Sequence, residues 1–184
     1  MINVNDFKPG VTIMVDNNIY QVLEFLHVKP GKGSAFVRSK LRNLRTGGVL
    51  DYTFNSGIKV KRALLEKKLV QYLYNEGHAF YFMEQETFDQ IVLDLNQMGD
   101  NLKYLKENLD VELIFFEEEI IGINLPEKVE LKVLRTEPAV RGNTATNALK
   151  EAVLETGLVV RVPLFINEGE TVLISTRDGK YTGR

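Results

Sequence analysis

"VKPGKGSAFVRSK" (Val28–Lys40) places a lysine between two glycines, directly after a Pro-Gly pair. Two structures compete for such a stretch: a phosphate-cradling loop of an α/β nucleotide-binding fold, or the tip of a β-hairpin. A Walker A loop needs glycine, four residues, then Gly-Lys-Ser/Thr opening a helix, so that backbone amides wrap the phosphates. Here Leu26 stands where the first glycine is required, and Gly33 stands where the hydroxyl is required. The following run, "SAFVRSKLRNL", has strand composition rather than helical periodicity. A P-loop enzyme is therefore excluded. In the hairpin reading Pro30 presets the first corner of a turn, and Gly31 supplies the positive φ of a type II turn. Gly33 then frees the backbone beyond Lys32. A lysine held this way is either a solvated charge or an amine presented for contact or modification.

The chain outward from this tip is rich in strand signals. "VTIMV" and "IYQVLEFLHV" flank "DNN", which predicts a hairpin of Val11–Val15 with Ile19–Val28. The breaker Thr46–Gly48 separates the next run from "VLDYTFNSG" and "IKVKR". About five short strands without a helix predict a small SH3-like barrel over residues 1–63. In residues 64–127, "KLVQYLY" and "AFYFME" flank the turn "NEGH". "DNLKYLKENL" predicts a helix over Asp100–Asn108, capped by Asp100, with Leu102, Leu105 and Leu109 at helical spacing. "VELIFFE" and "IIGINLP" follow as strands, and strands around one short helix fit an OB-type barrel. Residues 128–184 repeat the rhythm with "KVELKVLRTEP", "TGLVVRVPLFI" and "TVLISTRDGKY". Between them, "TATNALKEAVLE" has helix-forming composition.

The 184 residues contain 44% hydrophobic and 26% charged positions and no cysteine, so disulfides, thiol catalysis and cysteine-held metals are excluded. With no long apolar run and no signal-like start, a cytoplasmic monomer away from the membrane is expected. Net charge is −2, but its distribution is uneven. Residues 1–63 hold 10 Lys/Arg against 4 Asp/Glu, and residues 64–127 hold 4 against 14. Either surface charge varies by chance, or the segments face different partners, the first of them RNA or phosphate.

Catalytic chemistry has little to work with. His27 and His78 lack metal-like partners at helical spacing and read as ordinary strand or turn residues. Nucleophile-elbow and zinc-helix motifs are absent, and Glu117–Glu119 reads as a solvated acidic turn. No catalytic residue, metal or cofactor is expected. Arg38, Lys40 and Arg42 alternate onto one strand face at about 6.6 Å spacing, which suits a nucleic-acid backbone or a merely solvated face. With Arg45 just beyond, they are the candidate RNA- or phosphate-binding residues.

"PGKGSAFVRSKLRNLRTG" (Pro30–Gly47) resembles the lysine-bearing loop and following strand of the bacterial translation elongation factor P family. Lys150, Ala152, Gly157, Val160, Val162-Pro163, Ile166 and Gly169 match that family's C-terminal signature in type and spacing. The resemblance implies an all-β fold of three consecutive barrels in an L: a KOW-type SH3-like barrel, then two OB-type barrels. It places "TATNALKEAVLE" in a loop and strand region. It also implies a non-enzymatic factor that binds the 70S ribosome between the P and E sites, beside peptidyl-tRNA, and relieves stalling at consecutive prolines.

Under the same resemblance Lys32 points toward the tRNA acceptor end and is the target of a lysine-modifying enzyme. The loop Gly142-Asn143-Thr144-Ala145 corresponds to one that contacts the E-site mRNA codon, with Asn143 replacing an aspartate. Asparagine keeps a carbonyl acceptor, adds a donor and loses the charge. Tyr181 and Arg184 correspond to positions that reach ribosomal RNA, though Tyr181 also suits a barrel edge. The acidic middle segment is expected to face away from RNA or to meet a basic ribosomal protein. A paralogous elongation factor P-like protein usually differs at the tip, and the hypusine-bearing relative has only two barrels. A lipoyl- or biotinyl-type carrier would also present a tip lysine, but in Asp-Lys-Ala or Met-Lys-Met contexts that this chain lacks.

Overall fold

The structure is a computed structural model that describes residues 1–139 and 148–184. Its strands form three sheets. The first contains β1 (Ile2–Asn3), β2 (Thr12–Val15), β3 (Asn18–Val28), β4 (Phe36–Asn43), β5 (Val49–Asn55) and β6 (Lys59–Arg62), in the order β1-β6-β2-β3-β4-β5. Asp16 and Asn17 turn β2 into β3 at φ 49° and 62°. Both are left-handed, as the two-residue hairpin turn that matches strand twist requires. Along β4, Val37, Ser39 and Leu41 are buried, the two apolar ones in a core with Val4, Phe7, Ile13, Tyr20, Val22 and Phe54. The intervening residues face away, which is the period-two consequence of a half-buried strand.

The second sheet runs β11-β10-β7-β8-β9. Its strands are β7 (Leu65–Glu76), β8 (Ala79–Glu84), β9 (Gln90–Asp94), β10 (Asp110–Phe116) and β11 (Glu119–Asn124). The helix expected over Asp100–Asn108 is displaced. Helix α1 is Leu95–Met98, and its cap is Asp94, not Asp100. The Asp94 carboxylate accepts the Gln97 N–H at 2.8 Å, and the Gln97 side chain accepts the Asp94 N–H at 2.9 Å. This reciprocal box satisfies two donors that a helix start leaves open. Gly99 then breaks the helix at φ 51°, and Gly99–Tyr104 continue as a 3-10 helix. The leucine spacing reflects burial of an irregular segment: Leu105 is buried and Leu109 packs on the third sheet's core.

The third sheet orders β14 (Val159–Pro163), β13 (Leu149–Leu154), β12 (Lys128–Thr136), β15 (Thr171–Ser175) and β16 (Tyr181–Gly183) as β14-β13-β12-β15-β16. Its core unites Val129, Leu131, Val133, Ala152, Leu154, Val160, Val162, Ile166, Val172 and Ile174. The helical composition of "TATNALKEAVLE" is overridden where the chain is described. Residues 149–154 are a strand hydrogen-bonded on both sides, and tertiary pairing outweighs a weak intrinsic preference.

Contacts gather the chain into two compact units: residues 1–68 with 113–122, and residues 69–112 with 123–184. Within the first unit, Phe116 at the end of β10 is buried with Ile19 and Ala63, and Leu65 and Ile121 pack around them. Within the second, Tyr104 enters the third sheet's core, and the Thr156 hydroxyl donates to the Lys103 carbonyl at 2.6 Å.

Candidate functional site

Residues 29–35 form the loop between β3 and β4, closed at its base by the Val28–Phe36 pair. The Ser56 N–H donates to the Ala35 carbonyl at 3.0 Å and ties the return limb to the sheet. Every residue from Lys29 to Ser34 is exposed. The expected left-handed residue was Gly31, but the structure puts it at Gly33, with φ 103°. A Cβ on Gly33 would sit 3.9 Å from the Pro30 ring, while one on Gly31 would meet nothing within 4 Å. The left-handed residue therefore comes two positions later than a Pro-Gly type II turn would put it, and Lys32 directly precedes it in the loop. Among the described residues the Lys32 amine has no hydrogen-bond or ion-pair partner.

Arg38, Lys40 and Arg42 share the face of β4 opposite the core, as their alternation predicts. They are not equivalent. Lys40 stands between Glu24 on β3 and Asp51 on β5, and its amine lies 3.6 Å from the Glu24 carboxylate. Arg38 is flanked by Leu26 and Thr53, and Arg42 by Gln21 and Val49. A bulge between Val22 and Glu24 creates this difference by bringing Glu24, rather than Leu23, opposite Lys40. A shallow cavity of 240 Å³ lies over Arg38, Lys40, Glu24 and Asp51.

Arg45 is already occupied. Its guanidinium forks onto Glu119 at 2.9 and 2.8 Å and donates from Nη1 to the Asn17 carbonyl at 2.6 Å. The hydrogen bond and charge of Glu119 raise the Arg45 pKa, and Arg45 in turn holds the Glu119 carboxyl below the ordinary carboxylate range. Glu119 is thus a bound partner within the first unit, not part of a freely solvated acidic turn. Arg184 also has neighbours: it lies 3.5 Å from Glu170 and 5.0 Å from the Phe165 ring centroid. Tyr181 packs against the third sheet's core. Gly142, Asn143, Thr144 and Ala145 lie outside the described residues. Nothing in the sequence marks Glu24, Asp51 and Phe165, or the pairing of Glu119 with Arg45, because cross-strand and long-range partners depend on register and tertiary packing, and a bulge shifts Glu24 opposite Lys40 without marking the sequence.

Three family profiles cover nearly the whole chain. Residues 3–60 match the elongation factor P KOW-like domain, 65–123 the elongation factor P OB domain, and 129–184 the elongation factor P C-terminal region. Elongation factor P of Onion yellows phytoplasma (strain OY-M) is 57% identical over 185 aligned positions, covering 100% of this chain and 98% of that relative. Its counterpart in Aster yellows witches'-broom phytoplasma (strain AYWB) is 58% identical with the same coverage.

The chain belongs to the elongation factor P family.

It is accordingly a translation elongation factor with KOW-like and OB domains. Solved structures extend the fold comparison. A eukaryotic translation initiation factor 5A from Methanococcus jannaschii aligns with TM-score 0.55 at 21% identity, covering 66% of this chain and 94% of that one. A translation initiation factor eIF-5A family protein from Naegleria fowleri aligns with TM-score 0.56 at 14% identity, covering 67% and 96%. At such identities the likeness concerns the fold alone.

The C-terminal residues that suggested elongation factor P are largely architectural. Ala152, Val160, Val162 and Ile166 are core positions, while Gly157 and Gly169 hold φ of 86° and 84° in turns. No helix among the described residues is long and apolar enough to cross a membrane.

Proposed function

We propose that this elongation factor P family member binds the ribosome between the P and E sites and positions peptidyl-tRNA for peptide-bond formation at consecutive prolines. The observation that carries the reading is the exposed, unpartnered Lys32 amine inside a glycine-flanked tip. Proline's rigid ring makes it a poor and badly oriented nucleophile. Holding the peptidyl-tRNA in an attacking geometry helps through lost freedom alone, and effective molarities show that such positioning is worth up to about 7–11 kcal/mol. No side chain of the protein bonds to substrate in this mechanism.

In this reading Arg38, Lys40 and Arg42 meet tRNA or ribosomal RNA phosphates, and Tyr181 and Arg184 meet ribosomal RNA. The loop 142–145 reaches the E-site codon, and a dedicated enzyme lengthens Lys32. Arg45 serves RNA only indirectly, because its fork is held by Glu119.

Paired in vitro translation tests the reading, with one reporter containing consecutive prolines and one without. Lys32→Ala, supplied beside natively modified wild type, is expected to lose rescue on the proline reporter while leaving the other unchanged. Full rescue by Lys32→Ala would reduce the tip to a solvated turn. Intact mass of the Lys32 peptide adds a second check: lipoate or biotin there would replace the translation reading with a carrier.

A further inference from the structure

The outer face of β7, β8 and β9 carries a row that the tip and the basic strand do not use. Tyr74 pairs across strands with Tyr81, and Tyr81 with Val92. The two tyrosine rings stack at 4.7 Å with planes 19° apart. Tyr74 is 46% exposed and Val92 50%, while Phe80, Phe82 and Leu93 on the opposite side are buried. One row along lie Glu76, Ala79 and Asp94, and the other neighbouring row is Gln71, Met83 and Gln90. These three rows contain two carboxylates and no Lys or Arg. Asp94 commits one oxygen to its helix cap, which leaves its charge in place. Strand β9 ends the sheet.

We propose that this face is a docking platform for a cationic polypeptide segment, with an arginine side chain seated on the Tyr74–Tyr81 stack and its neighbours paired to Glu76 and Asp94. Two observations choose the occupant. Nucleobases also stack on tyrosine, but a nucleic-acid backbone would meet two carboxylates and no compensating cation. A planar guanidinium combines affinity for an aromatic face with attraction to carboxylates. The wider segment has the same sign, since residues 64–127 hold 14 acidic against 4 basic residues.

The inference goes beyond the Lys32 reading, and its failure leaves the proline-reporter result untouched. The test titrates the full-length protein into fluorescently labelled oligoarginine, oligolysine of equal length, and oligouridylate, read by anisotropy. Oligoarginine is expected to bind about fivefold more tightly than oligolysine, the preference a cation–π contact of about 1 kcal/mol confers. Tyr74→Ser with Tyr81→Ser should erase that preference and leave the residual charge attraction. Glu76→Gln with Asp94→Asn, which keeps the capping oxygen, should weaken both peptides together. Equal affinity for the two peptides, absence of binding to either, or tyrosine-dependent binding of the RNA would each overturn the proposal. Self-association lost in the tyrosine variant would overturn it too, by identifying a second copy as the occupant.

Discussion

Arg45 grips Glu119 through two parallel hydrogen bonds, Nε to Oε1 at 2.9 Å and Nη2 to Oε2 at 2.8 Å, while its third arm holds the Asn17 carbonyl. The pair joins the loop after β4 to the β10–β11 hairpin inside one compact unit. A carboxyl whose folded pKa is depressed contributes stability above its unfolded pKa, near 4.5, and loses it as pH falls through the folded value. The raised Arg45 pKa acts only at strongly alkaline pH, so only the acid limb is measurable. Glu119→Gln should therefore be less stable than wild type at neutral pH, with the difference shrinking as pH falls below the unfolded carboxyl's value and vanishing once the folded carboxyl is protonated. Both groups are solvent-accessible, so the gap should also narrow with added salt. Urea melts across pH check this. A gap that is constant down to the acid limit would remove the ion pair from the explanation.

The basic strand should respond unevenly. Arg38→Ser and Arg42→Ser are each expected to weaken ribosome binding and to reduce the slope of log affinity against log salt by about one. Lys40→Ser should do less, because Glu24 at 3.6 Å and the facing Asp51 already offset that charge. Filter binding over a salt series separates the three, and equal effects would show that the acids do not screen Lys40.

Ser39 lies in the first sheet's interior opposite Phe25 and Tyr52, with its hydroxyl buried and without a hydrogen-bond partner among the described residues. An unmade hydrogen bond of this kind costs about 1–3 kcal/mol. Ser39→Ala removes the group at almost constant volume and should raise the urea midpoint without changing m. A lowered midpoint would mean that the hydroxyl has a partner in solution.

Gly179 is held by two constraints. Its φ is 72°, and a Cβ there would stand 3.0 Å from the Tyr104 hydroxyl. Gly179→Ala is expected to destabilise the second unit by about 1–3 kcal/mol. Adding Tyr104→Phe should recover only part of the loss, because the close oxygen is gone but the backbone strain remains. A double-mutant cycle in thermal denaturation reads the coupling, and complete additivity would deny the contact.

Strand alternation was legible because burial acts on single residues. Val37, Ser39 and Leu41 inward, with Arg38, Lys40 and Arg42 outward, follow from period two alone. The Asp-Asn turn was legible because few side chains tolerate φ above zero. The helix was misplaced because leucines at 102, 105 and 109 imitate a helical stripe while burying an irregular segment. Its true start at Asp94 carried a capping pair, Asp94 with Gln97, in which aspartate stands where serine or threonine is more familiar. The hairpin loop between β3 and β4 is legible from its Pro and Gly residues, but which glycine is left-handed is not, since either Gly31 or Gly33 satisfies a turn. The clamp on Arg45 was out of reach, because nothing local to Arg45 marks a partner 74 positions away.

The compact unit that unites residues 1–68 with 113–122 has a consequence for the chain's own birth. When Lys68 has been joined, the segment carrying Phe116, Ile121 and Glu119 does not yet exist. Ile19 and Ala63 then lack part of their apolar cover, and Arg45 lacks its carboxylate. At about 5–20 residues per second, synthesis leaves that flank open for seconds. The nascent N-terminal part therefore passes through an interval of unfinished surface, long enough for an early chaperone encounter, that closes only as Gly122 arrives.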